Sequence, residues 1–478
     1  MFGATAILTM FNSIFSGKKK KNAAVNAGFG YDAVDADRTY REHWRNADML
    51  TPDQLNNPLN RSILRSMARY EYNNNPWLFG LVNQVADDVI GTGARLQIEK
   101  ESVKNTAMIE TAFEAWAAEV KLTEILKNVK RGVARDGEAF IMLTTREANK
   151  SKVKLFPLAF ACDRVTSPIN GVTETNNIDG VFVDDFGVPI FYTIARQNPN
   201  ASAVQDWDKI SADYVIHFFN ANFAEQHRGV PEYSSCLNDI GLLRRYTKAT
   251  LDKMENASNI SGVLKPKDSL EAQVEQEIKP VANFSEFILP SRSFVTLPLG
   301  YDLQQYELGN PTDSQQQFAL NVKIDCARCL LATRNVVTGD SSNYNYASGR
   351  LDFQSYYRAI NDIRHRIELE ILDKIFGLWY AEFVAYDNAE IPAHSWFWDG
   401  FNHVDPVKES RSETLDMQNG SKTLVDVCAE HGRDWKTQVD NRLQVEKYER
   451  EQREKLGLPS LEEISQSQKN GVGGNAED

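Results

Sequence analysis

The chain has 478 residues, enough for several packed units with a sizeable hydrophobic core. At 42% hydrophobic and 25% charged residues, its composition is that of an ordinary globular protein. The formal net charge of -13 argues against a protein that binds nucleic acid through a broad basic surface. It does not exclude a wall along which DNA slides, because tight phosphate binding would hinder that movement.

The cysteines are few and scattered, at Cys162, Cys236, Cys326, Cys329 and Cys428. An odd, sparse set is no disulfide framework, and it favours a reducing compartment inside the cell. Cys326 and Cys329 have the spacing of a redox pair or of half a zinc site, but they lie in an apolar helical run without a second such pair. We therefore interpret them as core residues.

The N-terminal region has no regular pattern, and we interpret residues 1–55 as an arm. Its apolar residues come before the four lysines at 18–21, which is the reverse of a signal peptide, so we do not expect secretion. No apolar run has the length of a transmembrane helix, and we expect no membrane contact. Tyr31, Tyr40 and Trp44 suggest that the arm docks on a neighbour.

The region up to residue 219 mixes helix and strand patterns. Asn75-Pro76 separates two helices, and Gly91-Thr92-Gly93 ends the second of them before a strand. We predict helices over 58–72, 77–90, around 116 and over 122–134, and strands over 95–98, 139–144, 181–183, 189–194 and 214–219, with 181–194 as a β-hairpin. This order predicts an α+β unit.

Two helices of similar length, predicted over 237–257 and 312–333, enclose a segment of different character. Residues 262–308 contain short strand patterns at 262–264, 287–289 and 294–297, prolines, and an acidic helix around Glu275 and Glu277. The pattern predicts a stalk of two antiparallel helices with a small α/β module at its tip.

The first of these helices carries a basic patch of Arg244, Arg245 and Lys248. Charged helix faces are typically solvated surfaces with ion pairs to a neighbour. A role in lining a channel is the sharper alternative.

Residues 335–345 are small and polar, which gives the backbone wide freedom. We interpret them as a loop, either an ordinary connection between helices or a segment that touches something moving past it. A long helix follows, because apolar residues recur three or four positions apart and form one stripe. The stripe comprises Phe353, Tyr356, Ile360, Ile363, Ile367, Ile371 and Ile375.

The C-terminal part begins with the aromatic segment 395–399, to which we assign no element, and continues with helices over 405–418, 424–430 and 435–455. The residues after 459 are polar and rich in Gly, Asn and Glu, a composition typical of a disordered tail.

Motifs of enzymes are absent or isolated. Asp185-Phe186-Gly187 matches the magnesium-binding tripeptide of protein kinases, but its partner motifs are missing and its position indicates a hairpin turn. The sequence has no Walker A motif and no nucleophile elbow, and its seven histidines show no metal-ligand spacing. His217 is most simply a strand residue with a hydrogen-bond partner. We predict no enzymatic activity, no metal and no cofactor.

Several short motifs, taken together in their order, resemble those of one family. At the C-terminal end these are His403-Val404-Asp405-Pro406-Val407-Lys408-Glu409, Asn419-Gly420, Glu430-His431-Gly432-Arg433-Asp434 and Lys455-Leu456-Gly457-Leu458. Further upstream they are Asn74-Asn75-Pro76, Val89-Ile90-Gly91-Thr92-Gly93, His217-Phe218-Phe219, Arg228-Gly229-Val230-Pro231, Thr338-Gly339-Asp340 and Tyr344-Asn345-Tyr346-Ala347-Ser348-Gly349-Arg350. On these residues the chain resembles the lambda-type portal family of tailed bacteriophages.

The resemblance implies a portal fold, which is an α+β fold with a wing, a two-helix stem, a clip at the stem's tip, a long kinked helix with a tunnel loop, and a helical C-terminal crown. The predicted stalk and tip correspond to stem and clip. The implied divisions are an arm at 1–55, an α/β wing at 56–233, stem helix 1 at 234–261, a small α/β clip at 262–310, stem helix 2 at 311–333, the tunnel loop and long wing helix at 334–386, C-terminal wing and crown helices at 387–458, and a tail at 459–478.

The resemblance also implies where functional residues lie. The tunnel loop that would face DNA comprises Val337, Thr338, Gly339, Asp340, Ser341, Ser342, Asn343, Tyr344 and Asn345. The candidates for lining the channel are Arg244, Arg245 and Lys248. The candidates for binding partners at the clip are Lys265, Lys267, Glu275, Glu277, Glu286 and Arg292.

The implied function is a ring, usually of twelve copies, at one capsid vertex of a virion that is assembled in the host cytoplasm. Such a ring passes double-stranded DNA without reading its sequence, and it has no membrane partner. Its implied protein partners are the terminase large subunit, head-completion or tail adaptor proteins, and the major capsid and scaffold proteins. The alternatives are an enzyme that acts on DNA, a component of the packaging motor, or a head–tail adaptor, although adaptors tend to be much smaller.

Overall fold

A computed structural model describes residues 49–99, 105–167, 176–196, 206–259, 263–266, 301–304, 313–339, 346–385, 390–401, 406–431 and 435–459. The chain divides after Thr51, and the fold given below is that of the second unit, Pro52–Asp478. None of the described helices is both long and apolar enough to cross a membrane.

Helices account for most of the described residues of the second unit. They are α1 Pro52–Leu55, α2 Pro58–Asn74, α3 Pro76–Ile90, α4 Thr106–Val120, α5 Leu122–Asp136, α6 Leu237–Asn259, α7 Asp313–Ala327, α8 Arg334–Thr338, α9 Tyr346–Ile367, α10 Asp373–Val384, α11 Pro406–Gln418, α12 Leu424–Glu430 and α13 Trp435–Leu456. Between α9 and α10 the chain stays helical through a π-helical turn, Glu368–Leu372.

The strands are short and antiparallel. They are β1 Arg95–Ile98, β2 Glu138–Thr145, β3 Leu155–Phe160, β4 Asn177–Ile178, β5 Val181–Val183, β6 Pro189–Ala195, β7 Trp207–Ser211, β8 Val215–Phe219, β9 Val263–Pro266, β10 Tyr301–Gln304 and β11 His394–Phe397. They form sheets in the orders β3-β2-β8, β4-β5-β6-β7, β1-β11 and β9-β10. The predicted hairpin is confirmed as β5 and β6, and the predicted α+β mixture is confirmed as well.

Capping residues explain where the first helices begin and end. The Asn57 side chain accepts a hydrogen bond from Asn60 N at 2.9 Å, and Pro58 follows it as the first helical residue of α2. Asn75 and Pro76 repeat this arrangement at the start of α3. The helix break that the sequence predicts at Asn75-Pro76 is therefore confirmed.

The long helix lies against the main core. The predicted stripe is confirmed at Ile367, Ile371 and Ile375, which have no exposed surface. Around them pack aromatic rings: the rings of Phe113 and Trp379, for example, meet edge to face at 5.1 Å. The π-helical turn is the kind of defect that accompanies helix kinks.

The β1–β11 pairing joins two distant parts of the chain. Arg95 pairs with Phe397 and Ile98 with His394, so the segment after α10 returns to the segment after α3. The sequence predicted the strand over 95–98 but neither β11 nor its pairing with β1, because a short strand carries no record of its partner.

Two boundaries differ from the prediction. The second stem helix ends at Ala327 instead of residue 333, because a 3₁₀ turn at Arg328–Leu330 is followed by Leu331 in the left-handed region at φ 57°. The polar loop expected from residue 335 begins instead with the short helix α8. The strands expected at 287–289 and 294–297, the helix around Glu275, and the tail after residue 459 lie outside the described residues.

Candidate functional site

The start of the predicted loop is anchored in the core. Val336 and Val337 are buried among the main core residues, and Trp77 Nε1 donates a hydrogen bond to Val337 O at 3.4 Å. Val337 is therefore not available to face DNA, and our expectation for this side chain was wrong: an apolar residue at the end of a packed turn is buried. Gly339, at φ 61°, ends α8 with a left-handed residue.

The described part of the loop thus ends with Thr338 and Gly339. Thr338 is half-buried at the end of α8, and its hydroxyl donates to Arg334 O at 3.0 Å. The remaining predicted loop residues lie outside the described part of the chain; they are Asp340, Ser341, Ser342, Asn343, Tyr344 and Asn345.

The other end of the loop leads into α9, which is fixed by buried polar contacts. Arg364 donates from Nε to Val89 O at 2.8 Å, from Nη2 to Asp88 O at 3.2 Å and from Nη1 to Asp399 O at 3.0 Å. The two carbonyls from α3 belong to its last turn, where the helix dipole favours a cation. Burial lowers the pKa of Arg364 to about 10, so the side chain stays charged near neutral pH.

A second polar contact lies nearer the start of α9, at Tyr356. The Tyr356 hydroxyl donates to Asp88 Oδ2 at 2.9 Å, and burial raises the pKa of Asp88. Together with Arg364, this contact ties α9 to the end of α3. Both supports of the predicted loop are therefore packed against the same helix, since Trp77 also belongs to α3.

The two predicted stem helices, α6 and α7, are packed at one end and exposed at the other. Ile240 is buried near the start of α6, whereas Leu251 on the same helix and Phe318 on α7 are 60% and 58% exposed. The rings of Tyr246 and Phe318 meet edge to face at 6.3 Å. Large apolar side chains therefore remain on the surface of this helix pair.

Three thiols lie where α6 begins and α7 ends. Cys236 and Cys326 are buried, and the Sγ atoms of Cys236 and Cys329 are 3.9 Å apart. The Ser235 hydroxyl is 3.3 Å from Cys329 Sγ. Among the described residues, no cluster of His, Cys, Asp and Glu is arranged to hold a metal ion. The packing of Cys326 in the main core agrees with the core interpretation.

The predicted channel-lining residues have different environments. Arg244 lies 3.4 Å from the Glu71 carboxylate, and its guanidinium stacks 4.8 Å from the centre of the Tyr70 ring. Arg245 and Lys248 are exposed. The structure thus ties Arg244 to α2 of the same chain and leaves the other two at the surface.

The predicted clip residues are mostly outside the described part of the chain. Lys265 lies on β9, where its Cα is the ladder partner of Asp302 on β10. The others, Lys267, Glu275, Glu277, Glu286 and Arg292, belong to ranges that the structure does not describe.

A buried charge network beneath α2 was not predicted. Glu138, at the start of β2, has no exposed side-chain surface and accepts hydrogen bonds from Arg65, from Arg228 Nη2 at 2.6 Å and from Gly229 N at 2.8 Å. His217 Nε2 lies 3.1 Å from Glu138 Oε2, which confirms that this strand histidine has a hydrogen-bond partner. Burial opposes ionisation of Glu138, but Arg228, His217 and Arg65 together outweigh it and hold the pKa of Glu138 well below its usual value.

The network fixes the segment that carries Arg228-Gly229. A Cβ on Gly229 would lie 2.1 Å from Gly137 O, so only glycine fits this approach. Arg228 also reaches Asp179, which forms an ion pair with Arg61 on α2. The network therefore holds together two sheets and a helix, and its chemistry is that of a buried ion-pair cluster in which each arginine lies beside a carboxylate.

The Asp-Phe-Gly tripeptide is confirmed as a turn. Asp184 Oδ1 accepts hydrogen bonds from Phe186 N at 2.9 Å and from Val188 N at 2.8 Å, and Gly187 has φ 81°. Phe186 is exposed at the tip. This side-chain capping is the Asx-turn chemistry of loops, and it engages the carboxylate that precedes the tripeptide.

Comparisons with known proteins identify a matching family and a solved structure of similar fold. The sequence model of a family described as phage portal protein, lambda family, matches residues 39–364. No curated protein matches the sequence significantly. The fold is similar to a chain in the neck of an empty gene transfer agent particle computed with C6 symmetry, with 13% identity, a TM-score of 0.50, and coverage of 75% of this chain and 89% of that one. A chain from the virion of the native gene transfer agent particle shows 14% identity, a TM-score of 0.44, and the same coverages of 75% and 89%.

Proposed function

This chain belongs to the lambda family of phage portal proteins, and we propose that copies of it form the ring through which double-stranded DNA enters and leaves a capsid. The observation that carries the proposal is the family match over residues 39–364, which is more than half of the chain. The neck chain of the gene transfer agent particle shares the fold and lends support at that level only.

We infer that the loop after α8 faces the DNA. Its first support is the Trp77 contact to Val337 O, and its second is α9, held by Arg364. A loop of small polar residues between two rigid supports can make weak contacts that exchange as a duplex moves past. The residues proposed for this role are Thr338, Gly339, Asp340, Ser341, Ser342, Asn343, Tyr344 and Asn345.

The net negative charge of the chain suits a channel that lets DNA move better than one that binds it tightly. With a net charge of -13 on each copy, a ring would hold few cations against DNA, so adhesion to phosphates would be low. We propose Arg245 and Lys248, which are exposed on α6, as the cations nearest to the channel. Arg244 contributes less, because its guanidinium is already engaged with Glu71 and Tyr70.

We propose a structural, non-enzymatic role in the virion, with twelve copies as the expected ring and assembly in the host cytoplasm. The partners that follow from this role are the terminase large subunit during packaging, an adaptor protein afterwards, and the major capsid and scaffold proteins around the ring. Residues 262–310 are the proposed docking site for motor and adaptor, with Lys265, Lys267, Glu275, Glu277, Glu286 and Arg292 as contact candidates.

Electron microscopy of the purified protein, followed by a loop deletion, tests the proposal. We expect rings with a central hole that admits a duplex. Removing residues 341–345 should leave the rings intact and reduce the DNA packaged or retained in particles, because the segment proposed to contact the duplex is lost.

A matched variant separates the length of the loop from its chemistry. Replacing 341–345 by the same number of Gly and Ser residues keeps the reach and removes Tyr344. If this variant packages normally while the shortened one does not, the reach of the loop is what matters. Normal packaging by the shortened variant would refute the role of the loop, and a lone subunit or a ring too narrow for a duplex would refute the proposed function.

A further inference from the structure

Helix α2 has its polar and apolar faces reversed. Its inner face carries Arg61, Arg65 and Glu71, which are buried, whereas large apolar side chains point outward. The outward side chains are Leu59, Ile63, Met67 and Tyr70, with 69%, 48%, 45% and 58% of their surface exposed. Their spacing of four, four and three places them on one stripe of the helix, which we call the outer stripe.

The outer face of α2 also lacks charge. All four charged residues of the helix are turned inward: three are buried, and Arg69 is half-buried in ion pairs with Asp136 at 2.6 Å and Asp163 at 2.7 Å. The exposed polar residues on this helix are the neutral Ser62, Ser66, Asn73 and Asn74. A helix that faced water would show the opposite arrangement, with charges outside and apolar residues inside.

This reversal has a cause inside the chain. The inner arginines are committed to the buried network, where Arg65 pairs with Glu138 and Arg61 with Asp179. The network explains why charged residues lie inside, but it does not explain why the outside is apolar. Exposed Leu, Ile, Met and Tyr on one stripe cost solubility and gain nothing within a single chain.

The outer stripe continues to the stem. Tyr70, its last residue, lies under the guanidinium of Arg244 on α6. That helix in turn exposes Leu242, Tyr246 and Leu251. Apolar exposure therefore extends from α2 to the helix pair that we propose as the stem.

We propose that the outer stripe is the surface on which a second copy of this chain docks, an inference that rests on the proposed ring. The core of an interface between copies is depleted of charge and enriched in aromatic residues and Met, and this stripe carries Tyr70 and Met67 and no charge of its own. Each copy carries a net charge of -13, so copies repel one another over most of their surface. Apart from the Arg244 guanidinium over Tyr70, this face carries no charged group, and it is where two such copies approach at the least electrostatic cost.

Ring closure specifies the kind of contact. In a ring the interface is heterologous, so the outer stripe of one copy meets a different surface of the next copy. Every copy then has its stripe covered, and no stripe remains exposed in the assembled ring. The same contact would shield the apolar end of the stem.

Oxidation of Met67 by hydrogen peroxide tests this without any substitution. The subunit and ring fractions of the wild-type protein are treated in parallel, with free methionine as the internal reference, and sulfoxide at Met67 is quantified by mass spectrometry. We expect Met67 to react about tenfold or more slowly in rings, because a covered thioether must wait for the interface to open. Equal rates in the two fractions would overturn the inference, because Met67 would then be as exposed in the ring as in the subunit.

A charge substitution provides the second measurement. Ile63→Glu combined with Met67→Glu should raise the protein concentration needed for assembly by about tenfold or more, since carboxylates would be buried without partners. The matched control is Leu369→Glu, an exposed aliphatic residue on the π-helical turn, which should assemble normally. Unfolding of the isolated subunit monitors folding in all three proteins.

The outcomes distinguish this inference from the proposed function. If wild-type protein forms rings and the double variant assembles equally well, the outer stripe is not the interface and the proposed function stands. If wild-type protein forms no ring under any condition, the proposed function fails and the inference fails with it.

Discussion

The interior around Glu138 and the long helix differs from the outer surface formed by α2 and the helix pair α6 and α7 in how its side chains are satisfied. In the interior, every strongly buried charge of the Glu138 network has a partner, and Ile367, Ile371 and Ile375 are fully enclosed. On the outer surface, Leu59, Leu251 and other large apolar residues face solvent. The side chains of the first region find all their partners within a single chain. We propose that those of the second region are covered only by another copy.

The difference separates folding from assembly. Substitutions in the interior should change the stability of the isolated subunit, because contacts are lost in the folded chain. Substitutions on the outer surface should leave the subunit folded and change only its association. A substitution that fails to follow this division would show that the two regions are coupled.

Glu138→Gln should give the largest effect in the interior. The amide keeps the size of the side chain but removes the charge that Arg65 and Arg228 share. Removing one partner of a buried ion pair costs about 3–5 kcal/mol, because the remaining charges are left uncompensated. Chemical unfolding of the isolated subunit measures the loss, and Glu255→Gln, at an exposed position on α6, is the control that should change nothing. A variant as stable as the wild type would show that the network does not stabilise the folded subunit.

Acidification should weaken the same interior more gradually. Burial lowers the pKa of His217 from its usual 6.5, and Glu138 titrates well below 4.5. Both folded pKa values are depressed, so the unfolded chain binds protons first, and stability falls as the pH drops below about 6.5 and more steeply below about 4.5. Unfolding measured across this range should show the steeper limb in the wild type and a shallower one in Glu138→Gln, because Asp136, whose pKa is lowered by Arg135 and Arg69 against the effect of burial, still titrates there. An identical pH dependence in both proteins would contradict the assignment to Glu138.

The sequence predicted the parts of the molecule that depend on local pattern. The break at Asn75-Pro76, the hairpin and the apolar stripe of α9 follow from capping, turn chemistry and helical spacing, and the structure confirms them. The Glu138 network was missed, because a carboxylate in a strand gives no sign of the arginines that reach it from positions 65 and 228. Val337 was placed at the wrong surface for a similar reason: the segment that follows it in sequence is polar, whereas its neighbours in space are core residues.

Helix α6 allows the sharpest form of the comparison, because it carries both a buried and an exposed apolar residue. The smallest expected effect on subunit stability is that of Leu251→Ala. Ile240 is buried near the start of α6, and Leu251, eleven positions later, is largely exposed. Ile240→Ala should destabilise the isolated subunit by about 2–5 kcal/mol, whereas Leu251→Ala should change it by no more than about 0.5 kcal/mol. In the ring the order should reverse for association, since Leu251→Ala removes surface that only a neighbour can cover. If Leu251→Ala destabilises the subunit as much as Ile240→Ala does, Leu251 is already packed within the single chain. The division between folding and assembly then fails at this helix.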